Sequence, residues 1–164
     1  MHPTELPDET LLAACDVRHV KRGGPGGQHR NKTQSGVILR HRPSGIIAEA
    51  NERRDQARNL SAALFRLRLE LAISLRVVRE HRSDLWQQRC RGGRVQVAAE
   101  HVDYPALLAE ALDELAVADW DLRSAGERLG CSMSQLLKLL ALEHRALLVV
   151  NGQRRQRGLP AVRP

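Results

Sequence analysis

"GVILRHRPSGIIAEANERRDQARNLSAALFRLRLELA", residues 36 to 72, changes its hydrophobic period once, and that change decides the fold. Its first part holds two β-rich runs, "GVILRH" and "GIIAEA", joined through "RPSG", where Pro43, Ser44 and Gly45 predict a hairpin turn. After Asn51 the helical period takes over. Ala57, Leu60, Leu64, Leu67 and Leu71 recur at spacings of three and four, and Leu75 and Val78 continue the stripe. Arg58, Arg66, Arg68, Arg76 and Arg79 fall on other faces. One long helix can therefore lay its Leu stripe on a small antiparallel or mixed sheet, and an α+β unit ending near Arg82 is expected.

Working toward the N-terminus, "DVRHVK" predicts a further short strand, and residues 1 to 15 an arm or short helix in which Asp8 can cap "ETLLAAC". Between that strand and Gly36 lies "RGGPGGQHRN", residues 22 to 31. The glycines fail the tests for a phosphate loop: Gly-x-Gly-x-x-Gly is not satisfied, and no Gly-Lys-Ser/Thr follows. What glycine offers instead is backbone that can approach a ligand closely, at Gly26 and Gly27. The loop presents Gln28, whose amide does not titrate near neutrality and so cannot be a general base. It can position a water, and its backbone N–H can donate to a developing oxyanion or leaving oxygen. His29, beside a basic loop, reads more readily as a structural or phosphate-contacting residue than as a base.

Net charge is +7, with 26 basic and 19 acidic residues among 164, a balance that predicts affinity for polyanions. The charge is uneven. Val17 to Ala48 holds seven Arg or Lys residues and no Asp or Glu, whereas Glu100 to Ala146 holds four basic residues and nine acidic ones. A final stretch, with Arg154, Arg155, Arg157 and Arg163, is basic again. Cys15, Cys90 and Cys131 have no metal-ligand spacing, and their odd number argues against a disulfide framework, so neither metal nor cofactor is expected. No run approaches the roughly 18 apolar residues of a membrane span, and a cytoplasmic protein without membrane association is expected.

Beyond residue 82 the chain reads as helical. "SDLWQQRCRGGRVQ" is expected to be a linker or hairpin, and Asp103 to cap a helix through "YPALLAEALDELAVA" with Pro105 in its first turn. Ser124 and Ser132 each stand three residues before Glu127 and Gln135, the pattern of two successive capping boxes, and Gly130 is expected to end the first of those helices. "LRSAGERLGCSMSQLLKLL" resembles a helix-turn-helix, with Gly126 at the crossing and Leu129, Cys131, Leu136 and Leu139 inside; the weight lies with packing rather than nucleic-acid docking.

The order of residues in "GPGGQHRNKTQS", continued through the hairpin, Arg54, Gln56, Asn59 and the Leu-rich helix, resembles the Gly-Gly-Gln domain of class I peptide-chain release factors and the related codon-independent ribosome-rescue hydrolases. The likeness covers about residues 16 to 76 and departs at Asp55, where the family usually has Ser. The resemblance implies a domain that enters the peptidyl transferase centre of the large ribosomal subunit and promotes hydrolysis of the P-site peptidyl-tRNA ester. Gly26, Gly27 and Gln28 would be catalytic, and Gln28 a site of N5-methylation by a glutamine methyltransferase. Lys21, Arg22, Arg30, Lys32, Arg40, Arg42 and Arg54 would contact rRNA and tRNA, with Arg154, Arg155 and Arg157 added from the tail. Only 25 residues precede Gly26 and no decoding tripeptide is evident, so an activity without stop-codon reading is expected, closer to the rescue factors. The alternative is a noncatalytic ribosome- or RNA-binding protein using the same domain. The expected organisation is an arm over 1–15, the catalytic domain over 16–82, a basic linker over 83–102, a helical extension over 103–150 and a basic tail over 151–164, as a monomer.

Overall fold

The computed structural model describes residues 1–21 and 34–164. The architecture is α+β, in two compact units: Pro3–Leu71, and Ala72–Pro164 with Met1–His2. Among the described residues no helix is long and apolar enough to cross a membrane.

In the first unit a 3-10 turn at Pro3–Glu5 and helix α1 (Asp8–Ala13) precede strands β1 (Cys15–Val20), β2 (Gly36–His41) and β3 (Ile47–Ala50). The three strands form one antiparallel sheet in that order, with Val17 opposite Leu39 and Leu39 opposite Ala48. Alternation puts buried Val37, Leu39, Ala48 and Ala50 on one face. Helix α2 (Gln56–Ser74) supplies Ala63, Leu64, Leu67 and Leu71, all buried, and these two apolar surfaces with Leu11 make the core. The hairpin between β2 and β3 turns where Pro43, Ser44 and Gly45 predict it. Gly45 takes φ +73°, a left-handed value, and donates its N–H to His41 O at 2.7 Å.

Two sequence expectations change here. Asp8 does not cap α1: Pro7 holds the cap position, and the Asp8 carboxylate instead accepts from Arg68 Nη2 at 2.7 Å. Arg68 is buried and donates also to Thr4 O and Leu6 O, at 2.5 and 2.6 Å, because a buried guanidinium must have its donors satisfied. And α2 stops at Ser74 rather than continuing through Val78, which is 83% exposed. Arg76 ends it, donating to the carbonyls of Ala72 (2.8 Å), Ile73 (2.5 Å) and Leu75, groups that a terminating helix leaves open. Val77 N–H then goes to Asp113 Oδ1 at 2.9 Å.

The second unit contains α3 (Asp84–Arg89), the hairpin of β4 (Cys90–Arg91) and β5 (Arg94–Val95), and helices α4 (Tyr104–Val117), α5 (Leu122–Leu129), α6 (Met133–Ala141) and α7 (His144–Gln156). Helix α4 is buried along nearly its whole length, and its three acids each have partners. Glu110 accepts from Ser83, Glu114 from Arg128, and Asp113 from Val77 with Arg79 and Arg76 at 3.5 and 3.9 Å. Burial outweighs those partners at Asp113 and pushes its carboxyl up to about 6.

The capping pattern is corrected at two helices. Asp103 holds the N-cap position of α4 and its carbonyl accepts from Leu107 N–H at 3.1 Å, but its side chain makes no cap bond; the carboxylate is taken by Arg89, at 2.6 Å from Nη2. Asp121, not Ser124, caps α5, accepting from Ser124 N–H at 2.7 Å. Ser132 caps α6 through Gln135 N–H, Pro105 sits in the first turn of α4, and Gly130 ends α5 at φ +69°. A Cβ on Gly126 would stand 2.7 Å from Cys131 O, so glycine is what lets α5 approach the following turn; Leu129, Cys131, Leu136 and Leu139 are buried around it.

Candidate functional site

Residues 22 to 33, with Gly26, Gly27, Gln28, His29, Arg22, Arg30 and Lys32, lie outside the described residues. What the structure describes is the root from which that segment springs. The chain leaves the sheet after Val20 and returns at Gly36, which pair as the last rung of the β1–β2 ladder. Side chain at position 36 is impossible without movement: a Cβ there would lie 2.7 Å from Val20 Cγ2 and 3.0 Å from Val20 O. The sequence therefore places glycine where the two ends are drawn together.

Two amides one helical turn apart hold the returning end. Gln56, the first residue of α2, donates from Nε2 to Gln34 O at 3.0 Å and contacts His19 Nδ1 at 3.0 Å. Asn59, fully buried, donates to Ser35 O at 2.6 Å and Arg53 O at 2.9 Å, and accepts from Arg53 N–H at 3.0 Å. Ser35 Oγ adds a 3.4 Å bond to Arg53 O. The helix start that carries both amides is capped by Asp55, whose Oδ1 accepts from Ala57 N–H at 2.9 Å while its carbonyl accepts from Asn59 N–H at 3.1 Å. Asp at this position performs the work that Ser performs at helix N-caps generally.

The basic residues expected to meet phosphate divide into two groups. Lys21, Arg40 and Arg54 are exposed, as are Arg18 and Arg53, and among the described residues no acid lies within ion-pair distance of any of these five side chains. Arg40 stands on the outer face of β2, opposite Asp16 of β1 and Ile47 of β3. Arg42 is different. Its guanidinium donates to Ala13 O (2.5 Å), Cys15 O (2.7 Å) and Asp16 Oδ1 (3.3 Å), so it ties the end of α1 to the sheet.

In the second unit Arg154 is buried and bound to Trp120 O and Pro160 O, at 2.6 and 2.8 Å. Arg157 pairs with Asp119 at 2.5 Å and lies 6.0 Å over the Trp120 ring. The segment after α7 is also tied down, since Asn151 exchanges two hydrogen bonds with the Val162 backbone, at 2.8 and 3.0 Å. Of the three tail arginines expected at RNA, Arg155 is exposed and has no ion-pair partner among the described residues. Among the described residues no cluster of three or more His, Cys, Asp or Glu side chains could hold a metal ion.

Sequence reasoning marked Gln56 and Asn59 as parts of a motif but did not give them partners. The available signal was their spacing of three beside a helix start, which puts both on one face. The role of Gly36 had no local signal beyond glycine opening a strand.

Comparison with known proteins follows the same stretch of chain. The sequence pattern of the RF-1 domain matches residues 12–102. Peptide chain release factor 1 of Dictyoglomus thermophilum is 44% identical over 55 residues, 34% of this chain and 15% of that protein. A mitochondrial peptide chain release factor-like protein of Saccharomyces cerevisiae is 43% identical over 65 residues, 39% of this chain and 42% of that one. The mitochondrial translation release factor in rescue of Mus musculus is 32% identical over 112 residues, 66% of this chain and 59% of that one. The matched part thus spans 15% to 59% of these relatives' lengths. No solved structure matches.

Proposed function

The chain belongs to the RF-1 domain family, and from that premise we propose that it is a ribosome-dependent hydrolase of the peptidyl-tRNA ester. It acts in translation termination or in rescue of stalled ribosomes, without reading a stop codon itself. One observation carries the reading: the sequence Gly26-Gly27-Gln28 falls between two described ends that are held, with Gln56 and Asn59 bonded to the Gln34 and Ser35 carbonyls and Gly36 letting the ends close. A backbone group that must reach an ester inside an RNA cavity needs such fixed ends, because a misplacement of about 1 Å can cost about 10²-fold in rate.

The reaction forms a bond from a water oxygen to the ester carbonyl carbon and breaks the bond from that carbon to the tRNA ribose oxygen. The water's proton ends on the departing ribose. Gln28 contributes its backbone N–H to the oxygen that gains charge, and its side-chain amide places the water. Gly26 and Gly27 supply backbone conformations closed to other residues. Since an amide does not accept the proton at neutral pH, the acceptor comes from the tRNA ribose and surrounding rRNA. Lys21, Arg40 and Arg54, together with Arg22, Arg30 and Lys32, neutralise phosphates and set the domain in place without reading sequence. Gln28 is the proposed target of N5-methylation. The rescue branch is favoured by the name of the mouse relative, which shares the longest stretch with this chain among the three compared.

The test is peptide release from purified ribosomes carrying labelled peptidyl-tRNA, with a stop codon, a sense codon or no codon in the A site. Release on truncated mRNA, lost in Gly27→Ala while ribosome binding persists, is the expected result. Release confined to stop codons overturns independence from the codon. Wild type as inert as Gly27→Ala, with both still bound, makes this a noncatalytic ribosome-binding protein.

A further inference from the structure

Resting on the hydrolase reading above, we infer that Gln56 is a positioning residue for ester hydrolysis, acting through Gln34 and His19 without touching the substrate. Its Nε2 group carries two hydrogens and has two partners in reach, Gln34 O and His19 Nδ1, each at 3.0 Å. Supplying both makes His19 Nδ1 the acceptor and places the imidazole proton on Nε2. The partners belong to opposite ends of the same segment: His19 is on the outgoing strand β1, and Gln34 is the first described residue of the returning chain. One amide, at the start of a helix that Asp55 caps, therefore bridges the two ends.

Folding does not call for this bridge. Gln56 and His19 are both exposed, the buried carbonyl of Ser35 already has Asn59, and the core of the unit is built from other faces of α2 and the sheet. Exposed hydrogen bonds of this kind compete with water and contribute little to stability. What the bridge does contribute is orientation. Gly36 and Asn59 bring the ends together, and Gln56 sets how they face each other, which is the quantity on which placement of the intervening Gly26-Gly27-Gln28 depends.

The experiment compares wild type with Gln56→Met, which keeps side-chain length but has no donor, and with Gln56→Glu, which sets an acceptor against the Gln34 carbonyl. Single-turnover peptide release on stalled ribosomes is measured across protein concentration, with thermal unfolding of the free proteins. Expected for Gln56→Met is a fall of about tenfold in the maximal rate with half-saturating concentration changed by less than about twofold. Its melting temperature stays at the wild-type value, and Gln56→Glu is slower still. His19→Ala added to Gln56→Met brings no further loss, since both residues act through one contact. A maximal rate equal to wild type in Gln56→Met overturns the inference, as does a change confined to half-saturation, which would make Gln56 an RNA contact. If wild type itself releases nothing, the hydrolase reading and this inference fall together; if wild type is active and the variant matches it, this inference alone fails.

Discussion

Arginines are used in opposite ways at the root of the glycine segment and at the end of α7. Around the sheet, Arg18, Arg40, Arg53 and Arg54 are exposed, with no acid in ion-pair distance among the described residues. At the end of α7, Arg154 is buried against two carbonyls and Arg157 is held by Asp119 and Trp120. Both stretches look equally basic as sequence. The difference shows that a cluster of positive charge marks a polyanion surface only where the protein has not already supplied the guanidinium with acceptors, since a guanidinium with its donors filled has little left for phosphate.

The comparison breaks most visibly at Arg154. Its replacement by Ala leaves the Trp120 and Pro160 carbonyls without their donor in a buried site, a loss of about 3 kcal/mol in unfolding free energy. Chemical denaturation should show it, with RNA or ribosome affinity per folded molecule unchanged. If affinity falls while stability holds, the inward assignment of Arg154 is wrong. Arg42→Ala probes the same distinction from within the sheet unit. About half of its side chain is exposed, so solvent screening reduces the loss to about 1 kcal/mol, again read as stability rather than binding.

Why the sequence distinguished these residues so poorly is visible in the separations involved. Arg154 meets Trp120 across 34 positions, Arg42 meets Cys15 across 27, and Arg68 meets Thr4 across 64. No local pattern encodes such partners. Features decided within a few residues were legible: the turn at Pro43 to Gly45, the strands beside it, the start of α2, the Gly130 terminus and the Ser132 cap. The failures came where two local rules competed or a distant group intervened. Asp121 and Ser124 are both good caps, and the buried Leu122 drew the helix start toward the first. The Leu stripe of α2 predicted more helix than forms because Asp113, 36 positions away, takes the Val77 amide. At the candidate site, Gln56 and Asn59 were legible as a motif, but their carbonyl partners at Gln34 and Ser35 became visible only when the strand and helix were brought together.

The outward group is sharpened by Arg40→Ala and Arg54→Ala. Each should weaken ribosome binding by about fivefold at moderate salt and lower the salt slope of the binding constant by about one unit, the signature of one lost phosphate contact. Unfolding free energy should move by less than about 0.5 kcal/mol, since neither side chain has an ion-pair partner among the described residues. A salt slope unchanged in both variants would remove them from the RNA surface and erase the contrast with Arg154.

The smallest effect is expected for Asp55→Ser, at the position where the resemblance to release factors implies Ser. The Asp55 carboxylate caps α2 through Ala57 N–H and lies 3.8 Å from Arg58, an exposed pair that adds little. Ser offers a hydroxyl acceptor one bond from Cβ where Asp offers a carboxylate oxygen two bonds away, and the two rank nearly equal as caps, so Asp55→Ser should shift stability by less than about 0.5 kcal/mol. Asp55→Ala, which removes the acceptor, should cost about 1 kcal/mol, and the helix start carrying Gln56 and Asn59 should loosen with it. Denaturant unfolding of the pair separates the cap from the charge. If Ser is as damaging as Ala, the carboxylate charge matters in its own right; if Ser and wild type coincide, the departure from the family is a change of residue with the local chemistry kept.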